Sequence, residues 1–249
     1  MASPTRPRGC RCKRSTPTSA NTGRWPLGTQ LIFPDNRKYR FAYAGASNLV
    51  MGTLQQAAAN TANHILQTPT AAVVGATSVI VALGATAALQ NEYKDGYLAI
   101  ELGTGQGQIF GVAAHASVVS SGSFTVPFVA GENVQVAIPA TANSVSLIHS
   151  PFWKVIQMPT TYTQSAAGVA CTNLSASKFG WLQTKGLATV LTNGTVAVGA
   201  FVVASLTTAG SIEAMSITIA TSVTEEIIGV VRHVATSTNS STIDLEIDG

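Results

Sequence analysis

Charged side chains are scarce in this sequence: they make up 10% of 249 residues, against about 25% in an ordinary soluble domain. Nothing resembles the Glu/Lys/Leu heptads of a coiled coil, and long helical bundles are excluded with it. Disorder is excluded for most of the chain, because 46% of the residues are hydrophobic and the net charge is only +3. Ala, Thr, Ser, Gly and Val fill the gap. A surface of neutral hydroxyls suits a protein that packs against copies of itself or a scaffold.

Acidic residues are nearly missing from the N-terminal end. Residues 1–40 hold nine of the fourteen basic side chains and a single acid, Asp35. Arg6, Arg8, Arg11, Lys13, Arg14 and Arg24 therefore form a basic arm on a mildly acidic body. A polar terminus takes one conformation only when something pins it, so the arm is expected to dock. Nucleic acid is the weaker acceptor, because only Trp25 offers stacking nearby and Pro4, Pro7 and Pro17 oppose a recognition helix. An acidic protein surface is expected instead, with these six residues as its contacts.

Cysteine is equally sparse. Cys10, Cys12 and Cys171 cannot build a disulfide framework, and Cys10-x-Cys12 lacks the second pair and the spacing of a zinc site. No metal or cofactor is expected. Residues 1–24 have no apolar core of a signal peptide. The uncharged stretch Ala71–Leu89 has the length of a membrane span, but similar tracts at Leu102–Gly131 and Gly186–Ile212 make it ordinary here. It reads as strand–turn–strand, and no membrane contact is expected.

Helical periodicity occurs once, over Leu49–Leu66, where Leu49, Leu54, Ala58, Ala62 and Ile65 share a face and Pro69 bounds the segment. Elsewhere the period is two. Leu31–Phe33 and Lys38–Tyr43 flank the turn Pro34-Asp35-Asn36. Val134–Ile138, Ser216–Ile219 and Thr242–Ile247 alternate as half-buried strands, and Val190–Val196 reads as a hairpin about Asn193-Gly194. About ten or more short strands at this spacing define an all-β protein of sandwich or barrel type. The expected organisation is an extended arm over residues 1–40, a larger β domain with one short helical segment over 41–160, and a smaller barrel-like β domain over 168–249.

Catalytic patterns are thin. Gly103-Thr-Gly105-Gln-Gly107-Gln leads into the strand-like Ile109-Phe110-Gly111-Val112, with no helix and no Walker lysine, so it reads as a hairpin turn. His64, His115, His149 and His233 are scattered, and no Gly-x-Ser-x-Gly elbow occurs. Glu225 and Glu226 are adjacent and would face opposite sides of a strand. Phe152, Trp153 and Trp181 could stack on sugars but read first as core. No enzyme activity is expected.

The order Leu27-Gly28-Thr29, Asp35 through Ala46 and Gly52-Thr53-Leu54-Gln55-Gln56 resembles virion structural proteins of tailed phages. So do Tyr93-Lys94-Asp95-Gly96 with Gly103–Val112, and Ser144–Val155. Phe179-Gly180-Trp181 through Gly186, with Ala209-Gly210, looks like the small β modules of head decoration (cement) proteins. The resemblance covers residues 27–235. Where such families place Asp-Gly-Arg after the first strand, this chain has Asp35-Asn36-Arg37, and Asn also tolerates the positive φ of that turn. The resemblance implies an auxiliary capsid protein, made in the host cytoplasm, that binds the assembled head and bridges major capsid subunits. Its partners would be the major capsid protein and neighbouring copies, as a trimer by analogy. The alternatives are another virion β protein (head fibre, tail tube or receptor-binding component) or a carbohydrate-active protein.

Overall fold

The computed structural model describes residues 25–140, 143–216, 226–234 and 239–248. Among them the chain is all-β. The first strands are β1 (Gln30–Ile32), β2 (Lys38–Tyr43) and β3 (Leu54–Gln56), followed by a 3-10 turn at Ala62–His64. Then come β4 (Ser78–Ala82), β5 (Tyr97–Leu102), β6 (Ile109–Gly111), β7 (Ser123–Pro127), β8 (Ser144–Ile148) and β9 (Ile156–Gln157). The last six are β10 (Ala166–Ala170), β11 (Phe179–Leu191), β12 (Phe201–Ala204), β13 (Ile212–Ala214), β14 (Ile227–His233) and β15 (Ser240–Glu246).

A ten-stranded sheet in the order β13-β12-β14-β15-β11-β10-β3-β9, with β1 and β2 joined through β11, curls into a half-barrel. Its spine is β11, thirteen residues long. The first part pairs with β2, Phe179 opposite Tyr43, and the later part with β15 from Lys185↔Glu246 to Leu191↔Ser240. The change of partner falls at Gly186, whose φ of +82° is open to glycine and whose missing side chain leaves room for Arg37. β15 is the clearest case of sequence dictating structure: Ser241, Ile243 and Leu245 point inward while the residues between them face out. With Val190, Val202, Ile212, Ile228 and Val231, Ile243 and Leu245 form one core.

Residues 72–147 build a second core from shorter pieces. The ribbon β4–β7 and the three-stranded sheet β6-β5-β8 enclose Val79, Val81, Leu98, Ile100, Phe124, Val126 and Leu147 around Tyr93. Between the two bodies lies an aromatic cluster of Phe41, Tyr43, Trp153 and Phe179, with Trp181 against it. Trp153 is core, as its composition context suggested, with 2% of its surface exposed.

Several expectations hold locally. β1 and β2 pair across a turn in which Asn36 takes φ 65°. The glycine run 103–107 joins the antiparallel pair β5–β6. Three expectations need correction. The helix over Leu49–Leu66 does not form. Leu49 bridges to Leu174, and β3 pairs with both β10 and β9, burying Gln55 and Gln56 completely. Pairing on two edges overrides the helical preference of the Gln/Ala run. What remains helical is the turn Ala62–His64.

The Asn193-Gly194 hairpin is also replaced. Strand β11 ends at Leu191 and pairs with β15, not with the next strand. Asn193 instead donates to the Ile212 carbonyl from its backbone and to Ser205, Thr207 and Glu213 from its amide. Val134–Ile138 is not a strand either: Ile138 makes one bridge to Ala72, and Val136 faces solvent. The segment 217–220 lies outside the described residues. The boundary anticipated at 160–168 falls between β9 and β10, which share the large sheet, and β1–β3 also join that sheet.

Candidate interaction surface

The six basic residues singled out as partner contacts, Arg6, Arg8, Arg11, Lys13, Arg14 and Arg24, lie outside the described residues. The point at which the chain joins the body is well defined. The Trp25 ring stands edge-on to Phe41 at 5.4 Å and tilts against Trp181 at 5.7 Å. The Leu27 amide donates to the Asp95 carboxylate at 2.9 Å. Close by, the Arg40 guanidinium grips Asp248 through two N–H donors at 2.7 and 2.9 Å, and a third donates to the Gly28 carbonyl. The Arg40 hydrogen bonds hold the Asp248 carboxyl below the usual carboxylate range, outweighing partial burial. The root of the arm is thus tied to both bodies.

The second feature is a face without charge. Residues 66–91 and 102–131 contain no Asp, Glu, Lys or Arg. They supply the ribbon β4–β7, whose outward residues are Ile80, Ala82, Ser123 and Thr125. The loop preceding β4 exposes 72% of Val73 and most of Val74, and the loop preceding β7 exposes 74% of Val119. Because β4 and β7 are antiparallel, these valines sit at opposite ends of the ribbon. Leu89, Val129 and Val136 are exposed on neighbouring loops of the same body. Apolar side chains at this density, with no charge to desolvate, favour docking against another protein.

The third feature went unnoticed in the sequence: three of the four histidines meet at one buried tyrosine. Tyr93 has no exposed surface. The His149 ring stacks on it at 4.6 Å and 7°, and His64 meets it at 5.6 Å in an edge contact. The Tyr93 hydroxyl donates to His64 Nδ1, while His64 Nε2–H donates to the Thr86 carbonyl at 2.9 Å. The Tyr93 amide donates to His115 Nε2 at 3.0 Å, and His115 Nδ1–H donates to the Ala116 carbonyl. His149 Nε2–H points to Glu92 Oε1 at 3.3 Å, and the other Glu92 oxygen accepts the Leu89 amide at 2.7 Å.

These environments set the protonation states. Burial pushes the Tyr93 phenol well above its ordinary value, so it stays neutral. Burial also lowers His115, only partly offset by the Ala116 carbonyl and Glu92. Burial alone would raise Glu92, but His149 and the Leu89 amide together pull it below its ordinary value. Residues 22 to 57 apart in sequence converge here, so no local spacing could have revealed the cluster.

A cleft of about 440 Å³ runs over Arg37, Met51, Cys171, Gln183, Leu187 and Ser240 on the large sheet, and one of about 360 Å³ lies at Arg40, Tyr97, Phe152 and Asp248. Neither contains a histidine. Among the described residues no group of three or more His, Cys, Asp and Glu is placed to hold a metal ion. No helix among them is long and apolar enough to cross a membrane. No family model, curated protein or solved structure matches the chain.

Proposed function

We propose that this chain is a structural virion protein, an auxiliary decoration or cement protein that binds the assembled head and bridges major capsid subunits. The carrying observation is the charge-free β4–β7 ribbon with Val73, Val74 and Val119 exposed at its ends. Such a ribbon packs across a seam between shell subunits without stripping water from charges, whose desolvation is costly. The basic arm adds a second attachment, with Arg6, Arg8, Arg11, Lys13, Arg14 and Arg24 meeting acidic patches on the shell or on adjacent copies. Its root at Trp25 and Leu27 is anchored, so tension on the arm reaches the folded body directly.

The test is co-sedimentation of the full chain with heads that lack decoration. Deleting residues 1–24 is expected to lower occupancy and its salt sensitivity, and Val73→Asp with Val119→Asp to lower it at every salt concentration. Undiminished occupancy in both variants would refute the reading. Binding to tails or fibres instead of heads would transfer the protein to another virion component.

A further inference from the structure

Loop 84–93 has no regular secondary structure beyond one bridge, Ala88 to Val118, yet it carries the exposed Leu89 and buries Tyr93. Backbone bonds tie it to the body at Gly84, Ala88 and Asn91, and three side chains that titrate add to them. His64 holds the Thr86 carbonyl, Glu92 holds the Leu89 amide, and His115 holds the Tyr93 amide. The Asn91 side chain completes the set by accepting the His115 amide at 2.9 Å.

We propose that this cluster is an acid-sensitive latch, with His115 as its proton acceptor, that frees loop 84–93 when the pH falls. The tautomer of His115 is forced. A backbone amide can only donate and a carbonyl can only accept, so Nε2 is bare toward Tyr93 and Nδ1 carries its hydrogen toward Ala116. A second proton must enter at Nε2, where it meets the Tyr93 amide hydrogen head-on. His149 Nδ1 is buried with no hydrogen-bond partner among the described residues.

Glu92 acts on His115 electrostatically and Tyr93 stacks against it; His64 and His149 pack on the Tyr93 ring, and Lys154 acts on Glu92 from the chain after β8. Since burial depresses the His115 value in the folded state, its stabilisation is complete above the ordinary imidazole range. It is lost as the pH falls below that range toward the depressed value. Glu92 adds a second loss at lower pH, when its own depressed carboxyl takes up a proton. The consequence for docking rests on the decoration reading: release of Leu89 and its neighbours alters the uncharged face and weakens attachment in acid.

Hydrogen exchange on the full chain, corrected for intrinsic rates, decides it. Protection of the Leu89 and Tyr93 amides is expected to fall at least about tenfold between about pH 7.5 and pH 5, while β11–β15 amides keep theirs. His115→Gln offers the Tyr93 amide a non-titrating acceptor and should flatten that change. Protection independent of pH in the parent, or unchanged pH dependence in H115Q, overturns the latch. Should H115Q fail to fold, nitrogen NMR of the parent ring decides: the Nδ1–H tautomer at neutral pH, with protonation tracking loss of Tyr93 protection, supports it, and an Nε2–H tautomer overturns it. Head binding at both pH values separates the two ideas, because failure to bind even at neutral pH removes the decoration reading and leaves the exchange result standing.

Discussion

The two bodies of this molecule reach order by different routes. In the large sheet, β11 and β15 share seven consecutive paired positions, and ion pairs such as Arg40–Asp248 and Arg232–Asp244 decorate the ladders. In the body of residues 72–147 no strand exceeds six residues, and isolated bridges such as Ala88↔Val118 and Ala72↔Ile138 supplement ladders of at most five pairs. There, buried polar side chains reach out to the backbone of loops. The first route spreads cohesion over many equivalent bonds, and the second concentrates it at a few nodes. In this body the β4–β7 ribbon carries no charge, while Glu101 and Glu132 remain exposed elsewhere on it.

The contrast can be broken most forcefully at Tyr93. Replacing it with Ala removes the centre of the node and is expected to cost about 3–5 kcal/mol in the smaller body. Urea unfolding followed by hydrogen exchange should show protection lost across residues 84–122 with the β11–β15 ladder intact. Simultaneous loss in both bodies would show that they unfold as one unit. The converse test is Gly229→Ala: a methyl group there would lie 2.1 Å from the Asp244 carbonyl oxygen, forcing β14 from β15. A loss of about 1–3 kcal/mol is expected, read as lowered protection in β12, β14 and β15 only.

The smallest effect is expected at the ion pair. Asp248→Asn should cost at most about 1 kcal/mol, because the pair is partly exposed and screened. The sign with pH is fixed by Arg40, which holds the Asp248 carboxyl down. Its stabilisation is present above the ordinary carboxylate range and lost as the pH falls through the depressed value. Thermal melts of the parent should therefore converge with those of the variant in strong acid, and a constant gap would refute the assignment.

Where a residue's fate was decided by its near neighbours, the sequence was readable. The turn at Asn36, the alternation of β15 and the glycine hairpin after β5 all depend on chemistry within a few positions. The all-β class follows from the sum of such signals. Gln55 and Gln56 defeated local reasoning because their neighbours favour helix while their partners, Ala166 and Gln157 among them, come from a hundred residues away. Asn193 failed for a similar reason, since the competing bonds arrive from Ser205 and Glu213. The uncharged ribbon was visible as runs without Asp, Glu, Lys or Arg, but its geometry needed the fold. The histidine node was invisible, because three separate loops and a strand end supply it.

The spine strand has a mechanical consequence. β2 and β15 both run antiparallel to β11, β2 pairing with its first half and β15 with its second. A pull along the strand axis, applied at β2 and resisted at β15, is carried by β11 in shear, so the rungs share the load and do not peel apart singly. Force entering beside Trp25 would cross the molecule through its longest continuous ladder, which is the arrangement a rivet needs when the plates it joins are pushed apart.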